Sequence, residues 1–341
     1  MKDCDKDLRK YHDEEVTLPS TVQSGLRNNR NANRDRLKAG LSKMNKGQPD
    51  DFIIQGSYAM KTMKQHPDND YDIDDGAAFQ FKKMLDDQGR ELSHQKAKEL
   101  VRDGILAGGG NLPSPPKVLK NCVRIKYAGG HHVDIPVYRI LKDSFGNETL
   151  ELAGGDGWRE SNPREITDWF RKEETKTQKE DEAEPQLRRQ VRMVKMYACN
   201  NLGDDALSGL ILTVLTSEAL AYYDSRDDQA FRNILRSIKN RLAWNKQVHN
   251  PADTSEELTK ESDRKKIDLM IEKLSDSLSQ LAILDDPGCT KREARQAWDR
   301  VFDCDFFSKL HLQEQSSKVP ATPSNSYPDK RVNIQGPGTS A

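Results

Sequence analysis

At Gly154-Gly155-Asp156-Gly157 the hydrophobic pattern of the chain changes period. Before it, short runs alternate apolar and polar residues, the period of strands; after it, apolar residues recur every three to four positions, the period of helices. A fold with separate strand-bearing and helical parts follows, which is the α+β class. The glycines mark the boundary, giving parts over 1–157 and 158–310 and a Ser/Pro/Gly-rich flexible tail over 311–341, poor in packing residues after Gln315. The spacing predicts a long polar helix from Leu18 to Met44, with a thin stripe of Leu26, Leu37 and Leu41. It then predicts a strand over 51–54, a strand over 71–81, a helix over 93–106 begun by Ser93, and a loop over 108–116. A hairpin of 118–127 and 132–141 comes next, followed by helices over 163–180, 185–202, 205–223, 227–245, 255–284 and 290–309.

The 54 basic and 55 acidic residues leave a net charge of −1, which excludes a strongly basic nucleic-acid coat and an acidic solvating protein. No apolar run approaches the ~18 residues of a membrane span, and the first ten residues lack the apolar core of a secretion signal. Five scattered cysteines without a CxxC pair suggest neither a disulfide framework nor a zinc site. A cytoplasmic protein that binds neither membrane nor, with this charge, nucleic acid is the expectation.

Chemistry concentrates in Gln55-Gly56-Ser57-Tyr58 and in Asp72-Ile73-Asp74. On a strand, Asp72 and Asp74 share a face, ~7 Å apart, and repel unless a cation lies between them. Hard divalent metals with oxygen ligands answer that need. In the run HHVDIPVY, Val133 and Ile135 point inward and His132 and Asp134 outward, so Asp134 joins the pair if the two strands are neighbours. Three carboxylates on adjacent strands suit a two-metal centre for phosphoryl or nucleotidyl transfer. A Gly-Ser turn opening a short helix presents backbone N–H groups and a hydroxyl to phosphates.

Taken together, the Gly-Ser turn, the Asp-x-Asp pair and the later single Asp resemble the polymerase-β-like nucleotidyltransferases. The stretches QGSYAMKT, DNDYDIDDG, VDIPVY and GWRESNPREITDWF resemble more closely the bacterial cyclic-oligonucleotide synthases (CD-NTases), over residues 15 to 310. The gap between Ser57 and Asp72 is long for the superfamily. The resemblance implies a nucleotidyltransferase palm with a mixed sheet, closed by an all-helical C-terminal domain. It implies Asp72, Asp74 and Asp134 as catalytic metal ligands for two Mg²⁺ ions, with Mn²⁺ as a substitute. Nucleotide contacts would come from Gln55, Gly56, Ser57, Arg124, Lys195, Ser208 and Asp253. The implied substrates are nucleoside triphosphates (ATP, with GTP, UTP or CTP left open). The implied product is a cyclic di- or trinucleotide messenger of antiphage defence. A regulatory or C-terminal-conjugating protein partner is implied as well. The rivals are a transferase acting on a tRNA terminus or a small molecule, and a nucleotide-binding scaffold without turnover.

Other features have plainer readings. Arg188, Arg189, Arg192 and Lys195 form a basic helix face, solvated unless it turns toward the Asp72 strand. Arg232, Arg236, Lys239, Arg241 and Lys246 with Trp244 read as an amphipathic helix rather than a nucleic-acid track. His131 and His132 read as exposed hairpin residues, Cys122 and Cys199 as buried small ones, and Trp158 and Trp169 as packing the junction between the halves.

Overall fold

In a computed structural model, which describes residues 1–68, 70–112 and 114–316, the chain begins with α1 (Asp5–Tyr11) and α2 (Ser20–Lys43). The mixed part follows as β1 (Asp51–Gln55), α3 (Gly56–Ala59), β2 (Asp72–Gln80), α4 (His94–Gly108), β3 (Lys117–Val118), β4 (Val123–Lys126), β5 (His132–Ile135), β6 (Val137–Lys142), β7 (Glu148–Ala153) and β8 (Trp158–Glu160). The rest is helical: α5 (Pro163–Thr175), α6 (Gln186–Leu202), α7 (Gly209–Ala219), α8 (Asp227–Trp244), α9 (Arg264–Gln280), α10 (Lys291–Phe302) and α11 (Phe306–Ser316).

One eight-stranded mixed sheet runs in the order β3-β4-β5-β2-β6-β7-β8, with β1 paired to β2 as well. Strand β2 is the hinge of this arrangement. It lies antiparallel to β1 and parallel to both β5 and β6. Asp74 pairs with Asp134 and Ala78 with Tyr138 in one unbroken register, so β5 and β6 are one strand interrupted at Pro136. Proline cannot donate to the ladder, but its carbonyl still accepts from Ala77 N–H at 2.8 Å. The single strand expected over 132–141 is therefore two segments. The one over 118–127 is likewise broken between Val118 and Val123.

Alternation along β2 sorts its residues. Ile73, Ala77 and Phe79 pack with Leu26, Leu37 and Leu41 of α2 and Val101 and Ile105 of α4. Asp75 on that same face is 2% exposed and is held by Arg34 of α2, whose Nε donates to its carboxylate at 2.7 Å. Helices α2 and α4 approach so closely that a Cβ at Gly40 would lie 1.7 Å from the Gly104 carbonyl oxygen. No other residue fits there.

The helical part surrounds α6, where Val191, Val194 and Tyr197 are fully buried among Phe231, Trp298 and Phe302. Its basic face, which the sequence reading leaves solvated unless it turns toward the Asp72 strand, is instead covered by acids at its arginines. Arg188 pairs with Glu174 and Arg189 with Asp227, because α5 and α8 turn these acids inward. On α8 and beyond, Arg232 pairs with Asp285, Arg241 with Glu218 and Lys246 with Asp268, consistent with an amphipathic surface helix.

Three placements depart from the sequence reading. Residues 4–16 pack in the helical core through Leu8, Tyr11 and Val16, with the Tyr11 ring 4.6 Å from that of Phe302. Residues 158–160 are the last strand of the sheet rather than the start of the helical part. Residues 311–316, assigned to a tail, belong to α11; the remainder, 317–341, lies outside the described residues. The two tryptophans do not meet at the junction. Trp158 donates to the Leu92 carbonyl at 3.1 Å beside the sheet, and Trp169 packs on the helical core. Cys122 is buried, whereas Cys199 is only half-buried. Among the described residues no helix is long and apolar enough to cross a membrane.

Candidate active site

A cleft of about 1150 Å³ opens between the sheet and the helical part. Gln55, Gly56, Ser57, Asp74, Asp134 and Tyr138 line its sheet side, and Lys195, Gly209, Asn250 and Asp253 its helical side.

The turn comes first. Gln55 is extended, and Gly56 enters α3 at φ +65°, a left-handed conformation that side chains resist. A Cβ there would also sit 2.7 Å from Asp74 Oδ2. Glycine is thus required twice, by backbone and by the carboxylate beneath it. Tyr138, burying most of its ring, donates its hydroxyl proton to Gln55 Oε1 at 3.0 Å and fixes the residue before the turn.

The carboxylates come from the register. Asp72 pairs with His132 and Asp74 with Asp134 across parallel strands, so all four side chains face the cleft side. Ligand atoms of Asp72, His132 and Asp134 lie within 4.8 Å of one another. Asp134 is 5% exposed and accepts both prongs of Arg124, at 2.7 and 2.6 Å. Burial, then the charges of Asp72 and Asp134, push the Asp74 carboxyl up to about 7. Asp72 holds the His132 imidazole above its ordinary value, with Nε2 3.4 Å from the carboxylate but not in hydrogen-bonding geometry. Concentrated acids that resist ionising together, with oxygen and imidazole donors converging, fit a hard divalent cation. Asp72, Asp74 and Asp134 would hold it, with His132 adjacent.

Lys195 faces this cluster from α6. It is 8% exposed, donates to Thr62 Oγ1 at 3.0 Å, and burial together with Lys64 and Arg192 pulls its ammonium down to about 7. Among the described residues no carboxylate pairs with it. Lys195 lines the same cleft as the Gly-Ser turn, and a buried ammonium without a carboxylate partner can take an anion as its countercharge.

The structure therefore brings together Gln55, Gly56, Ser57, Asp74, Asp134, Lys195 and Asp253 in one cleft, with Asp72 beside Asp134. Two expected contacts behave otherwise. Arg124 is spent on Asp134, its partner across β4 and β5, rather than open to a triphosphate. Ser208 caps α7, accepting from Ile211 N–H at 3.3 Å, while the adjacent Gly209 lines the cleft. His132 is buried rather than an exposed hairpin residue, whereas His131 stacks on Tyr127 with ring centroids 4.8 Å apart. The strand alternation already placed His132 on the Asp134 face; its neighbour across β2 was the missing information. Tyr138 and Arg159 also line the cleft and carried no signal in the sequence.

A Gly-Ser turn, paired strand carboxylates and a third on the adjoining parallel strand, all on one mixed sheet, define a nucleotidyltransferase fold. Residues 50–138 match the family model described as the nucleotidyltransferase domain of DncV-like cyclic GMP-AMP synthases. A curated cyclic GMP-AMP synthase from Escherichia albertii is 28% identical over 212 residues, 60% of this chain. That match spans 44% of the relative, less than half its length. Among solved structures, the Bradyrhizobium diazoefficiens CD-NTase CdnG, in complex with GTP, aligns with a TM-score of 0.67 at 13% identity, over 92% of this chain and 98% of that one. Vibrio cholerae DncV cyclic AMP-GMP synthase, in complex with the linear intermediate 5′ pppA(3′,5′)pG, aligns at 0.64 and 20% identity, over 84% and 92%. In sequence the chain is thus similar to a DncV-like nucleotidyltransferase domain and to a cyclic GMP-AMP synthase, and in fold to CD-NTases.

Proposed function

We propose that the protein is a Mg²⁺-dependent nucleotidyltransferase that joins nucleoside triphosphates into a cyclic di- or trinucleotide. The observation that carries this reading is the single cleft in which Ser57 and the unpaired Lys195 face the carboxylates Asp74 and Asp134. Ser57 and the N–H groups of α3 hold the β- and γ-phosphates of the donor, and Lys195 supplies the countercharge from the helical side. Asp72, Asp74 and Asp134 hold the metal. Mg²⁺ bound there would stabilise charge on the transferring phosphate and lower the pKa of the attacking hydroxyl. A 2′- or 3′-hydroxyl of the acceptor forms a bond to the α-phosphorus as the bond to the β-phosphate breaks, releasing pyrophosphate. Asp134, fixed by Arg124, is placed to take the hydroxyl proton, and Asp253 and Asn250 line the end where a base would lie.

A linear product still carries a 5′-triphosphate, so it can return as donor and be attacked by its own distant hydroxyl. The intramolecular step is favoured when the geometry fits. The solved V. cholerae relative bound to a linear pppApG intermediate supports this order. A role in antiphage defence within the cytoplasm, and a protein partner that conjugates or regulates the chain, belong to the same proposal and rest on resemblance.

Incubation with all four triphosphates and Mg²⁺, followed by phosphatase treatment and mass spectrometry, tests it. Phosphatase-resistant cyclic products are expected, with pyrophosphate released and no nucleic acid added. Linear products alone, or turnover only with tRNA or a small-molecule acceptor, would replace the synthase reading with its rivals.

A further inference from the structure

Asp72, the outer of the two β2 carboxylates, is half-exposed, and its partner across the parallel ladder is His132. Asp74 and Asp134 line the cleft, whereas Asp72 and His132 stand at its edge. That edge therefore carries a nitrogen donor for which an all-oxygen Mg²⁺ centre has no use.

The imidazole is 8% exposed, and its Nε2 is buried without a hydrogen-bond partner. An orphaned polar atom in the interior is costly, and its surroundings show what would satisfy it. Nε2 lies 3.4 Å from Asp72 Oδ1, and ligand atoms of Asp72, His132 and Asp134 all fall within 4.8 Å of one another. Asp74 is outside this set. Donors bound ~2.0–2.1 Å from a tetrahedral zinc ion stand about 3.3–3.4 Å apart. The Nε2–Oδ1 separation matches that edge while lacking the geometry of a hydrogen bond.

The neighbours of the ring suit a metal ligand. Its other nitrogen, Nδ1, lies 3.5 Å from Asp70 Oδ1. A carboxylate behind a histidine keeps the proton on the rear nitrogen and leaves the front lone pair for a metal. The His132 N–H donates to the Tyr71 carbonyl at 2.9 Å, which fixes the ring beside Asp72. Arg124 donates to both oxygens of Asp134, at 2.7 and 2.6 Å, and holds that carboxylate against the ring. One imidazole with two carboxylates favours borderline transition ions over Mg²⁺ and Ca²⁺.

We propose that Asp72, His132 and Asp134 form a second cation site, for Zn²⁺ and ions like it, which shares two carboxylates with the Mg²⁺ centre and shuts that centre when filled. Three protein ligands leave a fourth position for water, reached from the exposed side of Asp72. Zinc there takes Asp72 and Asp134 away from Asp74, so the two ions exclude each other. The exclusion, though not the zinc binding, rests on the reading of the three carboxylates as the Mg²⁺ centre.

Co²⁺, the coloured stand-in for zinc, tests the donor set on the full wild-type chain. One equivalent should give the intense visible band of four-coordinate cobalt, and Zn²⁺ should bleach it. The near-ultraviolet absorption of a cobalt–thiolate bond, which any of the five cysteines would produce, should be missing. A weak six-coordinate spectrum, or a thiolate band, would overturn the site. Competition against a zinc chelator then gives affinities. His132→Asn should lose at least tenfold in Zn²⁺ affinity, and more than Asp74→Asn loses. For Mg²⁺, followed as a rise in melting temperature, the order should reverse. Undiminished Zn²⁺ binding to folded His132→Asn, or one order for both ions, would also overturn the site; if that variant does not fold, the wild-type cobalt spectrum decides. Zn²⁺ should stop Mg²⁺-dependent pyrophosphate release, at zinc concentrations that rise as Mg²⁺ is raised. Bound zinc that leaves this turnover intact would overturn the exclusion. Absence of turnover with Mg²⁺ alone would instead sink the nucleotidyltransferase reading, leaving the cobalt and zinc titrations interpretable.

Discussion

Gly56 and Asp74 occupy each other's space: any side chain at position 56 would reach to 2.7 Å from the Asp74 carboxylate. The turn and the acid are thus one device, joined by β1 and β2 pairing Gln55 with Asp74.

Gly56→Ala should consequently damage chemistry far more than folding. Forcing alanine to φ +65° costs about 1–2 kcal/mol. The methyl also pushes aside a carboxylate that catalysis needs in place. Turnover should fall at least ~10²-fold, since small misplacements carry that cost. A variant with a slightly lowered melting temperature and full activity would disconnect the turn from the acid.

Asp74→Asn removes the carboxyl that burial and the flanking Asp72 and Asp134 charges hold up near 7. Without metal at pH 8 the wild type must bear all three charges, so the variant should be the more stable, by on the order of 1–3 kcal/mol. Adding Mg²⁺ should raise the melting temperature of the wild type and not of the variant. Turnover should drop at least ~10³-fold. Metal-dependent stabilisation that survives in Asp74→Asn would move the metal elsewhere.

Lys195 titrates in the opposite sense. Its folded-state value, about 7, lies below the ordinary 10.5, so between these pH values the unfolded chain binds the additional proton. Stability contributed by this residue therefore rises as pH increases from about 7 toward 10.5, and Lys195→Met should flatten that rise in a urea titration series. Triphosphate binding should weaken in the wild type as pH climbs through about 7, because the ammonium is lost, and the methionine variant should bind ~10- to 100-fold more weakly at pH 6.5. Equal affinity of the two proteins would remove Lys195 from the phosphate seat.

Asp7 tests the placement of the first residues. Arg295 is 1% exposed and receives Asp7 at 2.7 and 2.9 Å, with Glu314 as its other partner. Asp7→Ala should destabilise the protein, by less than the ~3–5 kcal/mol of a wholly broken buried pair because Glu314 still neutralises Arg295. The Michaelis constant for triphosphate should not move. A loss smaller than ~0.5 kcal/mol would detach α1 from the helical core.

What could be read in advance follows the range of the interactions. The 51–55 and 72–80 strands, the helix capped by Ser93 and the shared face of Asp72 and Asp74 depend on neighbours a few residues away, and alternation or capping exposes them. Arg124 belongs to the opposite case. Its residue type suggests a phosphate ligand, yet the β4–β5 register sets it against Asp134, and register is a property of two strands. Residues 5–11 show how a short amphipathic stretch escapes notice when its apolar partners, Phe302 and Phe307, lie some three hundred positions away. The strand expected over 132–141 runs through Pro136, where the ladder is in fact interrupted. That the chain resumes the same register beyond it is not visible in the sequence.

The contact of Tyr11 with Phe302 and Phe307 also bears on the order in which this molecule can be completed. On the ribosome, residues 4–16 emerge long before residues 298–307, so their apolar side chains must wait, uncovered, while the whole sheet and most of the helices are made. N-terminal-first folding, the usual course for a chain under synthesis, is closed to this helical core. The sheet can settle early around Ile73 and Phe79, whereas the helical core closes only when its last turns leave the exit tunnel. Because the cleft needs both, the ability to hold a substrate arrives last, in a single late step.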